Sequence, residues 1–285
     1  MPSMSWPSVV LGAALLGGVL GAVQPDAAAP RPEPTAAPAE AAAAPAPSPS
    51  TPSPPPSPSP IPDPPVDPPT GPAADPQPAG PGPQASDDRV RTRLPAAPSA
   101  QVALTFDDGP HPEWTPLVLD ELARHGVPAT FCLVGEQVAG SEDLVRRIHA
   151  EGHRLCNHTE SHDYALPARE PAEITAQIEA ATSRFREIVP DAEVTAFRAP
   201  GGRFSPAVVD VAAAQGLDAW GWSIDPRDWS STDPEQIVSD VLDSVEPGAV
   251  VLLHDGGGDR SATVRALTEL IPLLQSVGYE FVTLP

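Results

Sequence analysis

Short apolar runs alternate with amphipathic stretches of helical periodicity from residue 101 to the end of the chain. Apolar runs of this length, bounded by turn-forming residues, are typical of β-strands. They predict seven strands, at residues 101–106, 129–134, 153–157, 194–198, 219–224, 249–254 and 280–283. Because helical patterns lie between the strands, the alternation indicates a parallel sheet covered by helices.

Helix ends are marked at several places in this pattern. Three predicted helices stop before a glycine, the residue that most readily adopts the left-handed conformation of a C-terminal cap. They cover residues 116–125, 142–151 and 205–215 and are followed by Gly126, Gly152 and Gly216. Another helix is predicted to begin near Thr232, which has capping-box spacing to Glu235. Seven strands in this alternation favour a closed or nearly closed β/α barrel, with an open doubly wound sheet as the alternative.

The N-terminal part of the chain has a different composition. An uncharged apolar run at 9–23 precedes small residues at 27–29, so residues 1–29 are predicted to be a signal peptide or a membrane anchor. No basic residue precedes the run, so both alternatives stay open. Residues 30–98 are rich in proline, alanine and serine, which predicts a disordered linker. The folded domain is predicted to span residues 99–285.

The chain is strongly acidic, with a formal net charge of −22 at pH 7 over 285 residues. An anionic protein repels the phosphate backbone of DNA and RNA, which excludes nucleic acid as a partner.

Residues that could take part in catalysis or in substrate binding directly follow most of the predicted strands. They are Asp107 and Asp108 after the first strand, His158 and His162 after the third, Arg198 and Pro200 at the fourth, Asp225, Asp228 and Trp229 after the fifth, and His254 and Asp255 at the sixth. In β/α barrels the reactive residues lie at the carboxyl ends of the strands. These side chains are therefore expected to meet at one rim of the domain.

Two of these residues, His158 and His162, are four positions apart. Two imidazoles at this spacing share one face of a helical turn and can chelate a metal ion. The adjacent pair Asp107 and Asp108 can supply a third, anionic ligand. Two histidines and one carboxylate leave coordination positions open for water and substrate, as in catalytic sites. Taken alone, a histidine pair at this spacing is more often a solvated surface pair.

Five motifs occur in order along the domain. They are Thr105-Phe106-Asp107-Asp108-Gly109, His158-Thr159-Glu160-Ser161-His162, Arg198-Ala199-Pro200-Gly201-Gly202, Asp225-Pro226-Arg227-Asp228-Trp229 and Leu253-His254-Asp255. Together they resemble the motifs of the NodB-homology polysaccharide deacetylases, carbohydrate esterase family 4. The resemblance covers residues 99–285 and implies a distorted (β/α)7 barrel with a divalent metal ion, commonly Zn²⁺.

The resemblance also implies a role for each residue. Asp107 would be the general base, oriented by Arg198, and His254 the general acid, tuned by Asp228. The metal ligands would be Asp108, His158 and His162. The substrate-binding residues would be Pro200, Gly201, Trp229 and Leu253. The family usually has a tyrosine at the position of Gly201, so a more open wall is expected here, which bears on substrate preference rather than on the reaction.

The two cysteines, Cys132 and Cys156, fall in the second and third predicted strands. Export would place them in an oxidising compartment, where disulfides form and persist. A disulfide is therefore favoured, and the alternative is a pair of buried thiols that act as small hydrophobes.

The function implied by the resemblance is hydrolysis of N-acetyl groups on N-acetylglucosamine units of peptidoglycan or chitin-like glycans. The protein is expected to be a monomer that is secreted, associated with the cell wall or held at the membrane by its N-terminal segment. The alternative function is that of an acetylxylan esterase, in which the same site hydrolyses O-acetyl esters. A non-catalytic wall-binding protein is disfavoured because Asp107, Asp108, His158, His162 and His254 are all present. A glycosidase would leave the histidine pair without a role.

Overall fold

Parallel strands form the centre of residues 87–285, the part of the chain that the computed structural model describes. The strands are β1 Gln101–Asp107, β2 Thr130–Leu133, β3 Arg154–Asn157, β4 Ala196–Phe197, β5 Asp218–Ala219, β6 Ala249–His254 and β7 Glu280–Phe281. Their order in the sheet is β5-β4-β3-β2-β1-β6, and β7 pairs with β1. Every pairing is parallel, which confirms the sheet type predicted from the sequence.

The fifth strand is shorter than the prediction of 219–224. After Ala219 the chain leaves the ladder and makes only single bridges, from Trp220 to Arg91 and from Ile224 to Val251. A second bridge from the N-terminal side joins Arg93 to Ala249. These bridges span the interval between the edge strands β5 and β6. The sheet is therefore curled towards closure, as in the distorted (β/α)7 barrel that the motifs predict.

The folded domain begins before the predicted boundary at residue 99. Val90 and Leu94 are buried against the sheet, and the backbone of Arg91 bonds to both Ala219 and Gly221 at 2.9 and 2.8 Å. Backbone hydrogen bonds of this kind require no hydrophobic periodicity. The sequence of this proline-rich segment therefore gives no sign that it pairs with the sheet. The prediction of disorder is wrong for residues 87–98. Residues 30–86 of the predicted linker, and the predicted signal or anchor at 1–29, lie outside the described residues.

The helices cover the outer face of the sheet. They are α1 Trp114–His125, α2 Gly135–Val138, α3 Glu142–Ala150, α4 Pro171–Ile188, α5 Pro206–Ala214, α6 Pro234–Leu242 and α7 Ser261–Ser276. The predicted C-terminal glycines are left-handed, with φ of 63° at Gly126, 85° at Gly152 and 77° at Gly216. Among the helices of residues 87–285, none has the length and apolar character needed to cross a membrane.

The predicted capping box at the start of α6 is wrong. Asp233, not Thr232, caps this helix, since its side chain accepts hydrogen bonds from the amides of Glu235 and Gln236 at 3.1 and 3.4 Å. Pro234 occupies the first helical position, which its fixed φ favours, and this places the cap at Asp233.

Alternation along the strands separates two apolar layers. The outer layer, which includes Phe106 and Leu253, packs under the helices. The inner layer fills the barrel; its members are Leu94, Ala103, Cys132, Cys156, Ala196, Trp220, Trp222, Val250, Leu252 and Leu284. Since successive side chains point to opposite faces, Asp107 in β1 and His254 in β6 continue the inner layer at the carboxyl rim.

Cys132 and Cys156 lie in this inner layer and are opposite each other in the β2–β3 register. They are joined in a disulfide bond and both are fully buried. The bond links the two strands directly below the rim, and no free cysteine remains in the chain.

Removing the disulfide by the double substitution Cys132→Ala and Cys156→Ala is expected to destabilise the domain. The bond spans a sequence separation of 24 residues, so its loss should lower the free energy of unfolding by about 3 kcal/mol on the chain-entropy account. Urea denaturation of the variant beside oxidised wild type measures this difference. Coincident denaturation midpoints would contradict the expectation, as would thiol labelling of oxidised wild type after denaturation.

Candidate active site

The rim of the barrel brings together side chains from several strand ends. Asp107 is opposite His254 in the β1–β6 register and opposite Cys132 in the β1–β2 register. Asp107 and His254 are 3% and 1% exposed. The β1–β6 register thus places an acid and a histidine side by side on the inner face of the sheet, and both are buried.

Asp108, His158 and His162 form a compact cluster beside them. The Asp108 Oδ1 atom lies 3.4 Å from His158 Nε2 and 3.0 Å from His162 Nε2. One ligand atom from each residue lies within 4.8 Å of the other two. An ion with bonds of about 2 Å brings its ligands to separations of this order. Two imidazoles and one buried carboxylate therefore fit a divalent metal ion.

The two histidines lie on a loop after β3, not on a helical turn as the spacing predicts. Thr159 and His162 have φ of 67° and 55°, a left-handed conformation that interrupts any helix. Asn157 holds the loop: its Oδ1 accepts from the Thr159 amide at 2.8 Å, and its Nδ2 donates to Ile178 and Thr182 on α4. The strain of two left-handed residues is thereby balanced by buried hydrogen bonds.

The orientation of each cluster residue is fixed by the backbone around it. His158 Nδ1 lies 2.8 Å from the Arg198 carbonyl, which directs Nε2 towards Asp108. Asp108 itself is left-handed, with φ of 71°. Gly257 packs so closely that a Cβ there would lie 2.6 Å from Asp108 Oδ2. The loop after β6 therefore has to be free of side chains where it contacts Asp108.

Arg198 is fully buried and holds Asp107. Its Nη1 donates to Asp107 Oδ1 at 2.7 Å and to Thr105 Oγ1 at 2.8 Å. Its Nε and Nη2 donate to the carbonyls of Trp220 and Gly221 at 3.2 and 3.0 Å. The guanidinium is thus fixed on four acceptors, and it fixes Asp107 in turn.

Asp228 makes the corresponding contacts to His254. Its carboxylate accepts from the His254 amide at 2.9 Å and lies 2.8 Å from His254 Nδ1. The Thr263 hydroxyl donates to it at 2.8 Å. Burial opposes the charged form of His254, but the carboxylate of Asp228 outweighs it and, together with Asp108 and Asp107, raises the pKa of His254 to about 9. Burial likewise opposes ionisation of Asp228, yet His254 keeps the pKa of Asp228 below its usual range.

The predicted substrate-binding residues divide into two groups. Pro200 and Gly201 lie in the short turn Pro200–Gly202 after β4, with Pro200 buried and Gly201 exposed. Trp229 follows Asp228 and is half-buried, with the Arg227 guanidinium 5.4 Å from its ring centre. These three residues lie in loops that follow the strands.

Leu253 does not belong to the site. It lies in the outer apolar layer and is 1% exposed. Because side chains alternate along β6, Leu253 points away from the face that His254 occupies. Leu252 shares the inner layer and is the β6 leucine on the His254 side. Alternation along the predicted strand 249–254 already separates Leu253 from His254, but a motif taken as consecutive residues leaves that alternation out.

Several residues that support the site were not predicted. Thr105, Asn157 and Thr263 brace Arg198, the histidine loop and Asp228, but a lone threonine or asparagine carries no sequence signal of that role. Asp255 is fully buried and accepts from the Thr115 hydroxyl at 2.5 Å. Burial, with Asp108 and Asp107 nearby, raises the pKa of Asp255 to about 7. The sequence places Asp255 at the end of the sixth predicted strand, and therefore at the rim, but indicates no role for it.

A curled β/α barrel with an Asp–His–His cluster at its carboxyl rim defines the NodB-homology class of domains. Known proteins agree: the polysaccharide deacetylase family model matches residues 95–220. A chitooligosaccharide deacetylase from Bradyrhizobium sp. (strain ANU 289) is 47% identical over 195 residues, which cover 65% of this chain and 89% of the relative. The chain belongs to the polysaccharide deacetylase family, carbohydrate esterase family 4.

Solved structures show the same relationship. A peptidoglycan N-acetylglucosamine deacetylase matches with a TM-score of 0.66 and 36% sequence identity. The match covers 69% of this chain and 91% of that chain. A second match is a family 4 acetyl xylan esterase from Clostridium thermocellum, solved with a cobalt ion. Its TM-score is 0.59 and its sequence identity 34%, and the match covers 64% of this chain and 87% of that chain. These similarities support a polysaccharide deacetylase fold and a hydrolytic function.

Proposed function

We propose that this protein hydrolyses the N-acetyl groups of N-acetylglucosamine units in peptidoglycan or chitin-like glycans. One observation carries the proposal: Asp107, held by Arg198, and His254, held by Asp228, are register partners beside the cluster of Asp108, His158 and His162. Amide hydrolysis needs a base for the attacking water and an acid for the departing amine. This site has a separately positioned residue for each.

Asp108, His158 and His162 would hold a divalent metal ion, for which we propose Zn²⁺. Imidazole and carboxylate ligands suit zinc, and three protein ligands are typical of catalytic zinc sites. When bound, such an ion lowers the pKa of a water molecule and polarises the acetyl carbonyl.

The residues of the chain supply the remaining chemistry. Asp107 accepts the proton of the attacking water, and the Arg198 guanidinium holds its Oδ1 atom in position. His254 donates a proton to the amine, since its raised pKa keeps it protonated at neutral pH. The backbone amide of Gly201 would stabilise the oxyanion. Trp229, beside Asp228, would line the acetyl pocket.

The second candidate function is hydrolysis of O-acetyl esters, as in the acetyl xylan esterase with a similar fold. The protonation state of His254 favours the amide. An amine must be protonated before it departs, and the pKa of His254, about 9, keeps the required proton available. The leaving group of an ester is less basic, so ester hydrolysis depends less on a proton from His254.

Substrates of this kind are polymers found outside the cell. The proposed location is therefore outside the cytoplasm, at or near a cell wall, with the acidic domain carried on the proline-rich segment. Cell fractionation tests this part, and recovery of the protein from the cytosol would contradict it.

Acetate release from peptidoglycan, chitooligosaccharides and acetylxylan tests the proposed activity directly. The two N-acetylated substrates are expected to have the higher kcat/KM values. A preference for acetylxylan would favour the esterase, and no release from any of the three would contradict both.

Removal of metal is expected to abolish acetate release, and readdition of Zn²⁺ to restore it. Metal analysis should find about one divalent ion per chain, as expected for a single three-ligand site. His158→Ala is the matched variant, because it removes one ligand and leaves Asp107 and His254 in place. Full activity in protein shown to be metal-free would contradict the proposal.

A further inference from the structure

A cleft of about 740 Å³ lies beside the metal-ligand cluster, and His162 is one of the residues that line it. The ring of Tyr164 lines it together with the polar side chains of Ser161, Asp163, Glu173 and Gln177. Its volume is in the range of ligand-binding pockets. Among the lining residues, only His162 has a role in the proposed reaction.

The ring of Tyr164 is held in a fixed position beside the metal-ligand cluster. It packs edge-on against His162, with ring centres 4.8 Å apart and an interplanar angle of 79°. On another side, the Arg203 guanidinium carbon lies 5.4 Å from the ring centre. Arg203 also donates to the Tyr164 carbonyl at 3.4 Å. A half-buried ring with these contacts forms a fixed wall of the cleft directly beside His162.

Tyr164 also occupies the space that a side chain at position 201 would need. A Cβ built on Gly201 would lie 2.8 Å from Tyr164 Cε1 and 3.2 Å from Cδ1. Gly201 is left-handed as well, with φ of 59°. The residue whose amide is proposed to face the oxyanion therefore contributes no side chain, and a ring from a different loop takes that place.

We propose that Tyr164 is a specificity-determining residue, and that the cleft it lines binds a sugar unit next to the one that is deacetylated. This inference rests on the proposed function. An aromatic ring offers an apolar face to the carbon side of a sugar, and carboxylate and amide groups bond its hydroxyls. Asp163 is paired with Arg169 at 2.7 Å, so much of the local charge is neutralised. The cleft therefore suits a neutral, hydroxyl-rich ligand.

Kinetics on chitobiose and chitopentaose with the metal-loaded, full-length protein provide the test. Tyr164→Ala is expected to raise KM for chitopentaose roughly tenfold with kcat within about threefold, the size of one aromatic contact. The effect on chitobiose should be smaller. Tyr164→Phe keeps the ring and should restore the low KM. Tyr279→Ala is the matched control, since the only other tyrosine in the chain lies away from the rim, before β7.

A second measurement separates a substrate contact from a structural effect. When Tyr164 is present, Gly201→Ala should raise KM for chitopentaose, because the added methyl group displaces the Tyr164 ring. In the Tyr164→Ala background the same substitution should add a smaller factor. Independent effects at the two positions would overturn the proposed wall.

Binding without turnover distinguishes failure of this inference from failure of the proposed function. Titration calorimetry of chitopentaose in an Asp107→Asn background should show weaker binding when Tyr164→Ala is added. That result supports the subsite even if wild type releases no acetate. Equal affinities, or equal KM values for Tyr164→Ala and wild type on both oligosaccharides, would overturn it.

Discussion

Asp107→Asn is expected to lower kcat by about 10²–10⁴-fold while the metal content stays near that of wild type. Asparagine keeps the shape of the side chain and an oxygen that can accept from Arg198 Nη1. It also leaves Asp108, His158 and His162 in place. What it lacks is the basic carboxylate that takes a proton from water. Acetate-release kinetics and metal analysis on the same preparation measure both quantities.

The matched variant is Asp108→Asn, at the neighbouring position. It replaces the anionic ligand by a neutral one, so metal should bind more weakly, and excess metal should recover part of the activity. Excess metal should not restore the activity of Asp107→Asn, because this variant lacks the proton acceptor rather than a metal ligand. Loss of metal from Asp107→Asn with retention by Asp108→Asn would reverse the two assignments. Retained activity in both variants would place the reaction elsewhere.

The different roles of two adjacent carboxylates follow from where β1 ends. Asp107 is the last residue of the strand and continues its inner face, where Arg198 reaches its Oδ1. Asp108 is beyond the strand, and its φ of 71° turns the chain so that its Oδ1 approaches His162 to 3.0 Å. An aspartate tolerates this left-handed conformation better than most residues. The backbone changes from extended at Asp107 to left-handed at Asp108, and this change directs one carboxylate to the role of base and the other to that of metal ligand.

The sequence predicts the site well where function depends on strand ends. Hydrophobic runs locate the strands, and residues at the carboxyl ends of parallel strands converge whatever the loops do. For this reason Asp107 and His254 could be placed on one rim, and the five motifs could be assigned to a family. The register that pairs Asp107 with His254 is a property of the sheet, and it came only from the structure.

The predictions that failed are those that depend on side-chain direction or on backbone pairing. Leu253 lies on the wrong face of β6, one residue from Leu252. The histidine loop adopts left-handed conformations at Thr159 and His162 that spacing alone does not reveal. Residues 87–98 join the fold through backbone pairing with the sheet edges, which leaves no periodicity to detect. Tyr164 reaches the site across 37 positions of sequence from Gly201, and only the folded loops bring them together.

The second large effect is expected at His254, where His254→Ala should lower kcat by about 10²–10⁴-fold, the range for a general acid. In wild type, His254 donates only while protonated, and its pKa is raised from 6.5 to about 9. Activity should therefore persist through neutral pH and fall as pH rises through about 9. Asp228→Asn removes the carboxylate that favours the charged form, so the alkaline fall should move to lower pH by about one unit or more.

Stability has to be measured alongside, because the same pair contributes to folding. The pKa of folded His254 lies above its ordinary value of 6.5. Its stabilising contribution is thus complete below pH 6.5 and is lost as pH rises through about 9. Circular dichroism at each pH distinguishes unfolding from deprotonation: the alkaline loss of kcat should precede any loss of structure and reverse on return to neutral pH. An alkaline limb that stays in place in Asp228→Asn, with both proteins folded, would mean that His254 is not the group whose proton the reaction uses.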